Sequence, residues 1–217
     1  MFDAEHSANN ARAIDELVRT ATLAGLASYV RIPDPYSTTD VTGALESGAE
    51  GLVFPEVHSV EDINAAANAA YFPPKGNRSI CPATCSANFD FRHFVDFTER
   101  NNRAVTLVPE IENPDGVAQI EEICAHPDVQ MVIFGEGDFA FSRGEGNAMD
   151  KGTQTARDFQ TVLGVARKYG VAVVGGPFWC QQLRHAARRS KTVYGVLPWA
   201  GLDVISQLVR GHRARVG

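Results

Sequence analysis

Lysine is scarce: Lys75, Lys151, Lys168 and Lys191 are the four in 217 residues. None stands at the C-terminal end of an apolar run, where a Schiff-base lysine of a strand-lined site belongs, so carbanion chemistry through an imine is not expected. Basic residues as a whole number 20 against 26 acids, and the formal charge of −6 argues against a general nucleic-acid binder, which needs a basic face. Cysteine is sparse too. Cys81, Cys85, Cys124 and Cys180 make no disulfide framework for a chain this long, so a reduced cytoplasm is the expected compartment. The Cys81/Cys85 pair lacks a second pair to complete a zinc site and reads as two small residues packed in a loop. No apolar run approaches a membrane span, and Met1 is not followed by a basic-then-apolar signal, so no membrane association is expected.

What the chain has is alternation. Ala8–Ala24 carries apolar residues at helical spacing, with Ile14, Leu17, Val18 and Leu23 assigned to one side. A short strand over Ala27–Ile32 stops at Pro33, a helix over Thr39–Ser47 closes at Gly48, and Gly51–Pro55 reads as a buried strand. Ser59 caps the helix that follows. The proline- and glycine-rich stretch from Tyr71 to about Phe89 predicts a long loop of the kind that tends to be functional. Then come a helix over Phe91–Asn101, strand Ala104–Ile111, helix Pro114–Ala125 and strand Val129–Phe134. A polar loop over Gly135–Gly152, helix Thr155–Tyr169, strand Val171–Val174, helix Gln181–Arg189, strand Thr192–Leu197 and helix Leu202–Arg213 complete the pattern.

Short, uniformly apolar strands separated by helices demand a parallel sheet covered on both faces. An open doubly wound sheet and a closed (β/α)8 barrel both satisfy this. The first turn carries none of the Gly-rich phosphate chemistry of a dinucleotide-binding sheet, which favours the barrel, as one domain over residues 1–217.

In a barrel, catalytic groups gather at the C-terminal strand ends and the loops after them. That places His6, Arg31, the Pro55-Glu56-Val57-His58 turn, Glu110, Glu112, Glu136 and Asp138 as candidates. Two adjacent strand ends deliver up to four carboxylates to one region. Anions that close raise one another's pKa, and a divalent cation held by oxygen ligands (Mg2+ or Mn2+, with Co2+ also admissible) is the simple remedy. Arg31, on an otherwise apolar strand, either pairs with a buried carboxylate or serves a substrate carboxylate or developing oxyanion.

These residues resemble the HpcH/HpaI aldolases, metal-dependent pyruvate-class enzymes related to citrate lyase β subunits. The likeness is carried by Asp3-Ala4-Glu5-His6, Tyr71-Phe72-Pro73-Pro74-Lys75-Gly76-Asn77-Arg78, Pro109-Glu110-Ile111-Glu112 and Gly135-Glu136-Gly137-Asp138. It implies that Glu112 and Asp138 ligate the metal, that Arg31 contacts the keto oxygen of pyruvate, and that His6 is the general base, oriented by Asp3. It further implies that the backbone at Gly137 and Asp138 holds the substrate carboxylate, with Glu110 lining the substrate where some aldolases have glutamine. Glu46 stands near an acid that in some members reaches a neighbouring subunit.

The activity implied is class II aldol cleavage or formation of 4-hydroxy-2-keto acids through a pyruvate enolate, with oxaloacetate decarboxylation by the same enolate, in a homo-oligomer. A citryl-type lyase or synthase using that enolate, and a non-catalytic accessory paralogue, are the alternatives. The family's Gly-Pro-x-Asp-Leu becomes Gly135-Glu136-Gly137-Asp138-Phe139 here. By comparison with the family it resembles and by the eightfold count of the barrel, the first strand, first helix and most of the second strand, roughly forty residues, are expected to be missing before Met1.

Overall fold

The same alternation of apolar strands and amphipathic helices builds the protein. The structure, a computed structural model, describes residues 1–34, 36–145, 152–175 and 194–196. Two compact units form, one from Met1–Pro55 and Glu61–Val108, the other from Glu56–Val60 and the residues from Pro109 on.

In the first unit β1 (Phe2–Asp3), β2 (Tyr29–Arg31) and β3 (Gly51–Phe54) pair in parallel, in a register that sets Asp3 beside Arg31 and Arg31 beside Val53. Helix α1 (Ala11–Leu23) is capped by Asn10, whose side chain accepts from the Ala13 N–H, and it buries Ile14, Val18 and Ala21. Leu23, assigned from sequence to the same side, is 90% exposed. Nine residues after Ile14 is about two and a half turns, which is the opposite face. Helices α2 (Thr38–Glu46) and α3 (Val60–Ala70) bury Val41, Ala44 and Leu45, and Ile63, Ala66, Ala67 and Ala70.

Part of the expected long loop is a packed structural knot. Lys75 lies 3.5 Å over the Tyr71 ring and Arg78 4.5 Å over that of Phe72. Asn102 brackets the Phe72 backbone, accepting from its N–H at 2.8 Å and donating to its carbonyl at 2.9 Å. Buried Arg78 donates to Asn101 at 3.1 Å, and the charge of Glu46 supports it. Cys81 and Cys85 lie in the same loop as free thiols. The following helix, α4 (Phe94–Ala104), begins three residues later than Phe91. Asp90 accepts from the Arg92 N–H at 2.8 Å and contacts the His93 ring at 3.0 Å, an Asx turn that competes with helix.

Strand β4 (Thr106–Ile111) is buried throughout. In the second unit its end pairs in parallel with β5 (Met131–Phe134), β5 with β6 (Ala172–Gly175), and β6 with β7 (Tyr194–Val196). The single helix expected over Pro114–Ala125 is two, α5 (Pro114–Ala118) and α6 (Ile120–Ala125), joined at Gln119 with φ −98° and ψ 7°. Hydrogen bonds from Gln119 to Asp115 and from Ile123 to Gln119 run across the joint, so it is a kink rather than a gap.

A larger correction concerns the loop expected from Gly135. Residues Glu136–Ser142 form helix α7, because Phe139 is fully buried and stacks on Phe134 with ring centroids 5.0 Å apart. Helix α8 (Gln154–Tyr169) is capped by Thr153 and closes on Gly170 in the left-handed region at φ 72°. The helices expected over Gln181–Arg189 and Leu202–Arg213, with Lys151 and Lys191, lie outside the described residues.

Candidate active site

In the first unit, the parallel register of β1 and β2 brings Asp3 to Arg31. The carboxylate grips the guanidinium in bidentate fashion, with Nε to Oδ1 at 3.1 Å and Nη2 to Oδ2 at 2.6 Å, and Glu5 Oε2 stands 3.2 Å from Nε. Partial burial alone raises the Asp3 carboxyl, but hydrogen bonds from Arg31 and from the His6 and Glu5 N–H groups outweigh it and hold Asp3 below its ordinary value. Arg31 therefore does pair with carboxylates, and its side chain, 15% exposed, is locked at the end of β2. Asp3 holds His6 through the backbone, its N–H donating to Oδ1 at 3.2 Å. The imidazole is largely exposed, and its charged neighbour is Glu5, 3.6 Å away.

The second unit carries the acids. Glu110 and Glu112 are two apart on an extended backbone, so their side chains share a face. They are 7% and 6% exposed, and Glu136, at the first position of α7, is 5% exposed. Gly135 is where they meet. Its N–H donates to the Ile111 carbonyl at 2.9 Å. A Cβ added there would lie 2.8 Å from Glu112 Oε2 and 3.6 Å from Glu110 Oε1. The chain approaches both carboxylates as closely as glycine allows.

Burial first, and then the charge of Glu110, push the Glu112 carboxyl up to about 8 from an ordinary 4.5; the charges of Asp138 and Glu56 add to the push. The opposing pull is the Glu56 N–H, which donates to Glu112 Oε1 at 2.6 Å. Asp138, on the first turn of α7, is exposed but near enough for its charge to act on Glu112. Gly137, also on the first turn of α7, is exposed, with open space where a Cβ would stand.

The supports of this cluster are built in. The Glu56–His58 turn is clamped to α5: Asn113 donates to the Val57 carbonyl at 3.2 Å, and Gly116 leaves no room there, since an added Cβ would meet that oxygen at 2.5 Å. Helix α7 is held from behind. Arg143 lies 4.6 Å over the Phe139 ring and pairs with Asp158 of α8 at 2.6 Å, and Gln154 donates to the other Asp158 oxygen at 2.8 Å. Asp158 is 7% exposed, so Arg143→Ala strands a buried carboxylate. That substitution is expected to lower unfolding free energy by about 2–4 kcal/mol, read from urea denaturation midpoints at constant m.

The residues present fit a divalent cation. Ionised carboxylates as buried and mutually repelling as Glu110 and Glu112 require positive charge, and Glu112 Oε2 faces Gly135 while Oε1 is occupied by the Glu56 N–H. Among the described residues no three His, Cys, Asp or Glu side chains converge closely enough to enclose an ion. A two-carboxylate edge with open positions, the Glu112/Asp138 pair expected from sequence, suits an ion that also takes substrate and water oxygens. Sequence reading named Glu56 only as part of a turn and gave it no role. A non-glycine residue at φ 53° has no sequence signature to find.

The profile of the HpcH/HpaI aldolase/citrate lyase family matches residues 1–193. A hydroxypyruvate/pyruvate aldolase of Paraburkholderia phytofirmans is 27% identical over 179 residues, 79% of this chain and 67% of that protein. A 4-hydroxy-4-methyl-2-oxoglutarate aldolase of Hapsidospora irregularis is 30% identical over 135 residues, 62% of this chain and 50% of that protein. The matches thus span about half to two thirds of these curated relatives. The crystal structure of an HpcH/HpaI aldolase/citrate lyase family protein from Burkholderia cenocepacia superposes with TM-score 0.80 and 26% identity, covering 99% of this chain and 82% of that one. The fold class is α/β, of the parallel (β/α)8 type that this family shares. By fold and by sequence over residues 1–193, the chain belongs to the HpcH/HpaI aldolase/citrate lyase family.

Proposed function

We propose that this chain is a divalent-metal-dependent carbon–carbon lyase that cleaves or forms 4-hydroxy-2-keto acids through a pyruvate enolate. The observation that carries the reading is buried Glu112, pressed against Gly135 beside Glu110 and within electrostatic reach of Asp138. Relatives named as hydroxypyruvate/pyruvate, 4-hydroxy-4-methyl-2-oxoglutarate and 5-keto-4-deoxy-D-glucarate aldolases support it.

Glu112 and Asp138 would hold Mg2+ or Mn2+, with Co2+ as a further candidate. The cation, when bound, supplies Lewis acidity to the carboxylate and keto oxygens of a 2-keto acid. The backbone amides at Gly137 and Asp138 would receive the substrate carboxylate, and Glu110 would line the substrate position. Arg31, His6 and Asp3 keep as proposals the roles that family membership implies. Arg31 contributes a fixed guanidinium for an enolate oxygen, and its grip by Asp3 and Glu5 supports that role by preventing rotamer loss. His6 contributes an exposed imidazole for proton transfer.

Self-association is proposed as well, and the exposed apolar side chains of Phe89, Phe91, Phe94 and Val95 support it. Among the described residues, no helix is long and apolar enough to cross a membrane.

The test is oxaloacetate decarboxylation by the 217-residue chain, stripped of metal and then given Mn2+. Turnover that appears only with metal, and falls at least about a hundredfold in Glu112→Ala, is expected. Folded protein without metal-dependent turnover overturns the reading.

A further inference from the structure

We propose that Glu56 selects the aldehyde partner of the reaction, rejecting aldehydes that carry a carboxylate in favour of neutral hydroxyaldehydes. The inference rests on the reading of the Glu110/Glu112 cluster as a lyase site. The Glu56–His58 turn supplies its geometry.

Glu56 is tied to the site by its own backbone: its N–H donates to Glu112 Oε1 at 2.6 Å. That bond holds Glu56 in the left-handed region at φ 53°, a conformation side chains other than glycine adopt at a cost. The side chain then leaves the cluster and is 59% exposed, at the solvent side of Glu112. His58 stands between two acids, Nε2 3.7 Å from Glu56 Oε2 and Nδ1 3.2 Å from Asp115 Oδ2. The trio thus holds two acids to one imidazole.

The arginines and lysine among the described residues of this unit, Arg143, Arg157, Arg167 and Lys168, lie on α8 or at the end of α7. Arg143 is engaged by Asp158 and Lys168 by Glu121. In the proposed site the amides of α7, with a cation that Glu112 and Asp138 would hold, would answer the carboxylate beside the keto group. A second carboxylate, on the aldehyde half of the substrate, would meet Glu56 and Asp115 instead. A hydroxyl there would donate to the Glu56 carboxylate. Carboxylate–carboxylate repulsion at about 6 Å in a partly hydrated cleft corresponds to roughly tenfold in rate, about 1.4 kcal/mol.

Aldol addition reports this directly. It joins C3 of pyruvate to the aldehyde carbonyl carbon, C3 losing one proton and the new alkoxide gaining one. With Mn2+ and pyruvate, kcat/KM is measured for glycolaldehyde and for glyoxylate, in wild type, Glu56→Gln and Glu56→Asp. Glu56→Gln keeps the backbone donor and is expected to raise the glyoxylate-to-glycolaldehyde ratio about tenfold, while Glu56→Asp stays within about threefold of wild type. A ratio unmoved by Glu56→Gln, or moved equally by Glu56→Asp, overturns the proposal. Mn2+-dependent exchange of the pyruvate C3 protons with solvent deuterium is followed on the same preparations, because it needs no aldehyde and carries no second carboxylate. Its presence beside an unmoved ratio overturns this inference alone, and its absence overturns the lyase reading and this one together.

Discussion

Replacing Glu112 by glutamine is expected to stabilise the metal-free protein above pH 8 while lowering metal-dependent turnover by about a thousandfold or more. The two effects have one cause. Burial and the neighbouring charge of Glu110 raise the folded-state Glu112 carboxyl to about 8, against 4.5 in the unfolded chain. Below pH 4.5 both states carry the proton and the group is neutral to stability. Between 4.5 and about 8 the unfolded chain ionises and the folded one does not, so stability falls as pH rises, and above about 8 the full loss is present.

For a carboxylate this buried the loss is on the order of 3–5 kcal/mol, or about 10 °C in melting temperature at this chain length. Glutamine keeps an oxygen to accept the Glu56 N–H and carries no charge. Melting temperatures of chelator-treated wild type and Glu112→Gln, scanned from pH 4 to 9, should coincide at the acid end and separate toward the alkaline end. Mn2+ should close the gap by stabilising wild type alone. Parallel profiles would mean that the carboxylate is not buried as described.

How far these features could be read in the sequence depends on their physical scale. Strand ends were legible because short apolar runs end at or beside proline, before Pro33 and at Pro55, and the ends of β2 at Arg31 and β3 at Phe54 fall within a residue of that reading. The carboxylate partner of Arg31 was legible as one of two options, because a strand arginine among apolar neighbours needs an anion. Asp3 was nominated to orient His6, but the structure shows it gripping Arg31 and the His6 backbone, since one residue of register sets which side chains meet.

Helix α7 was hidden by its own composition. Glycines and acids around Gly135 read as loop, and what makes the helix is Phe139 on Phe134: the two rings, five positions apart in the chain, stack with centroids 5.0 Å apart once the helix returns Phe139 to the core. The acids at positions 110, 112 and 138 were legible by their placement at strand ends. The burial of Glu110 and Glu112 was not, because it depends on how closely the Gly135 backbone approaches them.

Gly135→Ala is the sharpest probe of that approach. The glycine sits at φ −85° and ψ 75°, with a negative φ open to alanine, so backbone strain is not the issue. Space is. The new methyl would stand 2.7 Å from Glu112 Cβ and 2.8 Å from its Oε2, and the first of these belongs to a side-chain root that cannot swing away. The hydrogen bond from Gly135 to Ile111 fixes the chain from the other side. Either β5 and α7 shift, carrying Asp138 with them, or Glu112 abandons the Glu56 N–H. Both outcomes should cost about 2–3 kcal/mol of stability and weaken Mn2+ binding at least about tenfold.

A double-mutant cycle separates this clash from a general intolerance of alanine. In a Glu112→Gly background both offending atoms are gone, and Gly135→Ala should then cost less than about 1 kcal/mol. An undiminished cost there would place the obstruction elsewhere and remove the close approach of Gly135 to Glu112 as the basis of the site.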